Sequence, residues 1–279
     1  MTLVWTPGWN GLTEPEAVSY VAAVEAADGQ PLEFATAKAI NDFVIGCKND
    51  GIWNAIKASC ILSGARTLAG ALVPLVGTAP TNFNFVSGDY NRETGLTGNA
   101  SNKALRTGLL GNALSNTSHH MFFSGSGFET TGVPIVGRVA GGFLQTSPLS
   151  ILTLVDLIAI GDNSVSPQSR YARSGTGDGA STSAGLTSSG TLTLSRTSST
   201  SLTLYQNGSS AATDTTSTTP SLPAIGFGIF GRNDSGTITN HTGCTMNFFS
   251  VGDGLSGGQT SSLHARVTSL INAFAAAIP

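Results

Sequence analysis

The sequence predicts a mainly β protein: a two-sheet antiparallel jelly-roll sandwich with a small helical N-terminal part and a C-terminal helix. Three observations predict it. The first is Leu202-Thr203-Leu204-Tyr205-Gln206-Asn207-Gly208, where apolar and polar residues alternate with period two and end in Asn-Gly. That dipeptide supplies the two positive-φ residues a tight hairpin turn needs. The second is punctuation: from Ser59 onward, glycine and proline cut the apolar residues into about ten to fourteen short runs, enough for two stacked sheets. The third is contrast, because residues 13–47 carry apolar positions three and four apart, as a helix does.

The chain has 279 residues, of which 35 are glycine and 10% are charged; hydrophobic residues make up 40%. That apolar content closes a core and excludes a disordered chain. The length suits one sandwich, which runs to about 200–250 residues, plus a helical piece. The expected division is 1–58, an arm and helices for attachment or oligomerisation, and 59–279, the sandwich with its C-terminal helix. Net charge is -3 with no basic run, so nucleic acid is not the expected partner: neutralising phosphates takes clustered Lys and Arg. No apolar run is long enough for a bilayer, and no secretory leader is read at Met1. The expectation is a chain made in a cytoplasm.

Met1 to Leu12 places Trp5 and Trp9 around Pro7 and Gly8. Such an arm packs on its own body or docks on a neighbouring subunit; Trp is enriched at interfaces and terminal segments stay ordered only when tied down. Thr13, Glu14, Pro15 and Glu16 form a helix start, with Thr13 as cap. Val18, Val21, Val24, Ala22 and Ala26 follow at helical spacing, and Asp28-Gly29 ends the helix. Pro31 opens a second helix with the face Ala37, Ile40, Phe43, Val44 and Cys47. After Asn49-Asp50-Gly51, Asp50 is placed to cap a short third helix through Trp53 and Ile56. Cys47, Cys60 and Cys244 are odd in number and irregular in spacing, so they make no disulfide framework; Cys47, on a helix face, and Cys60, in an apolar run, read as buried thiols.

Strand signals then follow: 60–62, 71–73, 75–76, 83–85, Leu96 to Leu105, His119 to Phe123, 134–136 and 141–143. Leu149 to Gly161 is apolar on both faces and fits a buried strand or a buried helix; neighbouring strands favour β. Leu192 and Leu194 alternate with Thr191 and Thr193. Asn207 to Leu222 reads as a polar loop. Ile225 to Gly231 is a Gly-rich strand, and Cys244 to Gly252 a strand with Met246, Phe248 and Ser250 on one face. Leu263 to Phe274 is a helix with Ala265, Val267, Leu270, Ile271 and Phe274 apolar, expected to pack on the body or on a symmetry mate.

The order of Tyr205-Gln206-Asn207-Gly208, the Gly-rich run 225–231 and the Phe248–Leu255 segment before a helix resembles the second half of concanavalin A-like (laminin-G-like) jelly rolls. Asp50 to Ile56, Asn82 to Val86 and Ala265 to Phe274 also resemble virion structural proteins of tailed bacteriophages. That resemblance implies a non-enzymatic component on a virion exterior, a capsid decoration or a tail or fibre subunit. Its expected partners are other virion proteins and copies of itself. The alternative is a carbohydrate-binding module that recognises a host surface glycan.

Retaining glycoside hydrolysis needs two carboxylates about 5 Å apart. Past Phe83 the glutamates are Glu93 and Glu129; Glu129 has no acid at strand spacing, and Glu93 shares a glycine-bracketed stretch with Asp89. No catalytic residue is assigned. His119 and His120, on opposite faces of a strand, do not chelate one metal together; one half-buried and one exposed histidine is the expectation. No cofactor is assigned, although the loop acids Asp89, Asp162, Asp178 and Asp253 have the hardness a structural Ca²⁺ takes, without a compact calcium loop to join them. Stacking on pyranose faces needs exposed aromatics with polar neighbours, and the candidates are Tyr90, Asn91, Tyr171 and Tyr205. Tyrosines at strand edges also serve as half-buried packing residues.

Overall fold

A computed structural model describes residues 11–128, the strand segments 138–146, 152–160, 170–174 and 180–182, and residues 187–216, 222 and 224–278. Helices α1 (Pro15–Asp28) and α2 (Phe34–Asn49) come first, then a 3-10 turn at Trp53–Ala55 and β1 (Ile56–Ile61). A four-residue α3 (Leu68–Ala71) is followed by β2 (Pro74–Val76), β3 (Thr81–Phe83), β4 (Tyr90–Asn91), β5 (Gly95–Thr97), β6 (Ala104–Leu110) and β7 (His119–Ser126). Next are β8 (Arg138–Thr146), β9 (Leu152–Ile160), β10 (Arg170–Ser174), β11 (Ala180–Thr182), β12 (Ser189–Ser198), β13 (Ser201–Gln206) and β14 (Ser209–Asp214). The chain closes with β15 (Gly226–Ile229), β16 (Arg232–Asp234), β17 (Thr237–Thr239), β18 (Thr245–Gly252) and α4 (Gly257–Ala277).

The strands form two nine-stranded sheets. Sheet A runs β14-β13-β12-β7-β18-β1-β2, with β5 on β18 and β4 on β5. Sheet B runs β11-β10-β9-β8-β15-β6-β3, with the β16–β17 hairpin attached to β8. Among the described strands, pairing is antiparallel except for β16 on β8. The Asn207-Gly208 turn has the expected left-handed residues, φ 50° and 74°, and it returns the chain as β14. The polar segment after Gly208 is therefore partly strand, because its Ser and Thr residues pair with β13. Leu152–Ile160 is a strand, paired on both sides. The expected strand at 134–136 lies outside the described residues, and 71–73 is the end of α3 and a turn, where the Thr67 side chain accepts the Gly70 N–H.

Two apolar clusters define three layers. Between the sheets lie Leu105, Met121, Phe123, Leu194, Leu204, Phe227 and Phe249. On the other face of sheet A, Ile61, Phe122 and Phe248 meet the helices through Val21, Val24, Phe43, Val44, Leu263, Val267 and Phe274. The four α4 side chains Leu263, Val267, Leu270 and Phe274 are buried, each contributing about 1.5–3 kcal/mol on area grounds. The outward face of sheet A is thus covered by α1, α2 and α4. That cover explains two departures from the sequence reading. His119 and His120 are both fully buried, because the strand that carries them is packed on both faces. Met246 and Phe248 face opposite layers, since a bulge between them shifts the register and turns Phe248 and Ser250 toward the helices.

Capping differs from expectation as well. Thr13 makes no cap for α1, whose N-cap residue is Glu14 without a side-chain capping bond; Asn41 of α2 instead pins the chain entering the helix, its Oδ1 accepting the N–H groups of Thr13 (3.0 Å) and Glu14 (2.9 Å). Gly29, at φ 71°, ends the helix. In α1 the buried face is Ala17, Tyr20, Val21 and Val24, while Val18 is exposed. Asp50 does not cap the turn at Trp53, whose N-cap residue is Ile52; it is the C-cap of α2, and its carboxylate takes the Arg266 guanidinium at 2.8 Å and so ties α2 to α4. All three cysteines are buried, and burial pushes the Cys47 thiol up to about 12.

A candidate glycan site at Trp53

The loop after α2 builds a polar depression. Gly51, at φ 68°, reverses the chain, and the 3-10 turn then sets Trp53 and Asn54 beside the first turn of α1. Trp53, Asn54, Gly51, Lys48 and Glu16 line a cavity of about 290 Å³. The half-buried indole packs on the helical core with one part and forms a wall with the rest. The Lys48 ammonium is 6.0 Å from the ring centre, within cation–π range. It is ion-paired with Glu14, and with Glu16 at 2.8 Å. Those carboxylates hold the Lys48 pKa above its ordinary value, and hydrogen bonding from Lys48 pulls the Glu16 carboxyl below its own. The site is therefore charged at neutral pH, with an amide, a carboxylate and an ammonium around an aromatic wall.

A second depression adjoins it. Pro15, Ser19, Tyr20, Val73, Pro74 and Leu75 line a mostly apolar groove of about 400 Å³ between α1 and the edge strand β2. Glu16 belongs to both linings.

The residues singled out in the sequence fall elsewhere. Tyr90 is a half-buried packing residue whose hydroxyl donates to the Ala65 carbonyl at 2.7 Å; it touches both apolar clusters. Asn91 folds its own turn, accepting the N–H groups of Glu93 and Thr94, both at 2.9 Å. Tyr205 is half-buried on the helix-facing side of β13, where a Cβ on Gly257 at the start of α4 would lie 3.5 Å from its hydroxyl. Tyr171 is paired with Ala159 and Ser181 in sheet B. Trp5 and Trp9 lie outside the described residues, as do Glu129, Asp162 and Asp178. Trp53, read in the sequence as part of a helix, is the aromatic that the fold sets in a polar hollow.

Of the loop acids, Asp89 pairs with Lys103 and accepts the Val86 N–H at 2.8 Å, and Asp253 pairs with Lys57 at 3.1 Å. Among the described residues no group of three or more His, Cys, Asp or Glu side chains is placed to hold a metal. Glu93 is exposed, and the Asp89 beside it in sequence is already ion-paired. His120 is held neutral: its Nδ1 donates to the Asp253 carbonyl at 2.5 Å and its Nε2 accepts the Ser250 hydroxyl at 3.0 Å. Burial pulls its pKa down to about 4.

The fold defines the class: an antiparallel β-sandwich of two sheets with helices laid over one of them. No protein-family model matches the chain, and no curated protein matches it. Among solved structures it is similar to the NanB sialidase of Streptococcus pneumoniae, at 17% identity over 53% of this chain and 24% of that one, TM-score 0.41. It is also similar to the CBM40 of the Ruminococcus gnavus IT-sialidase, at 13% identity over 54% of this chain and 84% of that one, TM-score 0.40. Trypanosoma rangeli sialidase aligns at 12% identity over 84% of this chain and 40% of that one, TM-score 0.44. The chain spans about a quarter of the length of the NanB chain. These likenesses are distant.

Proposed function

We propose that this protein is a non-enzymatic carbohydrate-binding module whose ligand stacks on Trp53. The observation that carries the reading is the half-exposed indole walling an open hollow with Asn54, Lys48 and Glu16 on its rim. A pyranose has one apolar C–H face and a ring of hydroxyls. The indole covers the former, and burial of that face supplies the affinity. The amide, carboxylate and ammonium pair with the hydroxyls and fix orientation, as a few convergent polar groups do in small-molecule sites. A glycan array probed with the full chain and with Trp53→Ala tests this. The reading expects saturable signals that vanish in the variant; an array on which both proteins behave alike would remove it.

A second reading concerns where such a module works. The sequence resemblance at 50–56, 82–86 and 265–274 supports a place on the exterior of a tailed-phage virion, as a capsid decoration or a tail or fibre subunit. In that setting the arm with Trp5 and Trp9 attaches the protein to other virion proteins or to copies of itself. Mass spectrometry of purified particles tests this setting, and absence of the chain from them counts against it.

A further inference from the structure

We infer that the Trp53 hollow is built for a neutral oligosaccharide and binds acidic sugars several-fold more weakly, an inference that rests on the glycan-binding reading above. Its charges decide the first half. Glu14, Glu16 and Lys48 form one ion-paired group with two negative charges and one positive. The neighbouring ions cancel in pairs: Asp253 with Lys57, whose ammonium also donates to the Asn54 carbonyl at 2.8 Å, and Asp50 with Arg266. The site therefore keeps a net charge of minus one, and its ammonium is already engaged by two carboxylates. Among the described residues, a sialate or uronate carboxylate meets no free cation there. Repulsion between unit charges about 4 Å apart in water weakens its binding roughly fivefold, whereas a neutral hydroxyl donates to the exposed Glu16 carboxylate without that repulsion.

The two linings decide the second half. Glu16 stands on the ridge between the Trp53 hollow and the α1–β2 groove, and its side chain is 43% exposed. A saccharide chain seated on Trp53 continues over Glu16 into the groove. There Val73 and Pro74, partly exposed above the buried Tyr20 and Leu75, meet the apolar faces of the next units, and Ser19 and Glu16 meet their hydroxyls. Ala23 is an exposed residue of that groove, so a bulky side chain at 23 blocks the path without touching Trp53.

Calorimetric titration of the full chain tests both halves. The ligands are gluco-, galacto- and manno-configured neutral tetraoses, their single sugars, and the same tetraoses with a terminal sialic acid. We expect one tetraose to bind at least tenfold tighter than its single sugar, and its sialylated form at least fivefold weaker than the neutral one. Glu16→Gln narrows that gap, and Ala23→Trp brings the tetraose to the affinity of the single sugar while leaving the latter unchanged. Thermal unfolding confirms that each variant is folded. A sialylated ligand that binds as well as the neutral one overturns the charge selection and leaves glycan binding standing. An Ala23→Trp variant with full tetraose affinity overturns the path through the groove. No binding by any ligand, sialylated ones included, removes the glycan-binding reading and this inference together.

Discussion

Lys48 reaches across the first turn of α1 to stand 6.0 Å from the centre of the Trp53 ring, held there by Glu14 and Glu16. That relationship joins a helix end, a helix start and a loop aromatic into one surface. It gives the indole a fixed position and a polar rim.

The rim is testable through Asn54. Its side chain is exposed and belongs to the hollow, so Asn54→Ala removes hydrogen bonds to ligand without opening the core. Affinity is expected to fall about tenfold, a loss of ~1.4 kcal/mol, with the unfolding midpoint unchanged. Titration of both proteins with the best array ligand checks it.

The helical layer is fastened to the sandwich by Asp28. Its carboxylate accepts the N–H of Arg66 (2.7 Å), the N–H of Thr67 (2.9 Å) and the Thr67 hydroxyl (2.7 Å). Asp28→Ala leaves these donors unmatched and is expected to cost roughly 2 kcal/mol. Denaturant unfolding measures it, and faster hydrogen exchange in α1 than in β7 would locate the loosening.

Gly95 tolerates no side chain. Its φ is 113° and a Cβ there would run into the Met246 carbonyl of β18. Gly95→Ala combines backbone strain of about 1–3 kcal/mol with a clash against backbone that cannot swing away. Unfolding of the variant against Gly258→Ala, where the added Cβ meets nothing within 4 Å, separates this from a generic effect.

His120 makes stability depend on pH. Its folded pKa is about 4, below its ordinary 6.5, because burial disfavours the cation. Between those values the unfolded chain binds a proton that the folded chain does not. The contribution is therefore complete above pH 6.5 and is lost as pH falls to about 4, amounting to roughly 3 kcal/mol. Glu33 acts lower down: the Arg92 guanidinium holds its pKa at about 2, so its contribution is present above the unfolded carboxylate pKa and is lost as pH falls toward 2. Denaturation of wild type and His120→Asn from pH 7 to pH 4 checks the first window; the variant is expected to show a flatter profile.

Much of the fold was legible because its signals are local. Asn207-Gly208 names a turn, and the Ala37–Cys47 face names a helix. The bulge at Asn247 was not legible: one unpaired residue reverses which layer Phe248 faces, and alternation alone gives no sign of it. The burial of His119 and His120 was hidden for a different reason. It follows from helices distant in sequence covering the outer face of sheet A. The site was hidden in the same way, since Glu16, Lys48 and Trp53 come together only when α1 packs beside the end of α2. Tyr90 and Asn91 carried the right chemistry, but the fold turns them to the Ala65 carbonyl and to their own loop.

The most direct measurement is the indole N–H resonance of Trp53, assigned by its loss in Trp53→Phe and followed while the best neutral tetraose is added. A saturable shift of that resonance with the same midpoint as the calorimetric titration is the expected result. A Trp53 resonance that stays fixed while the sugar binds elsewhere on the protein would contradict the account.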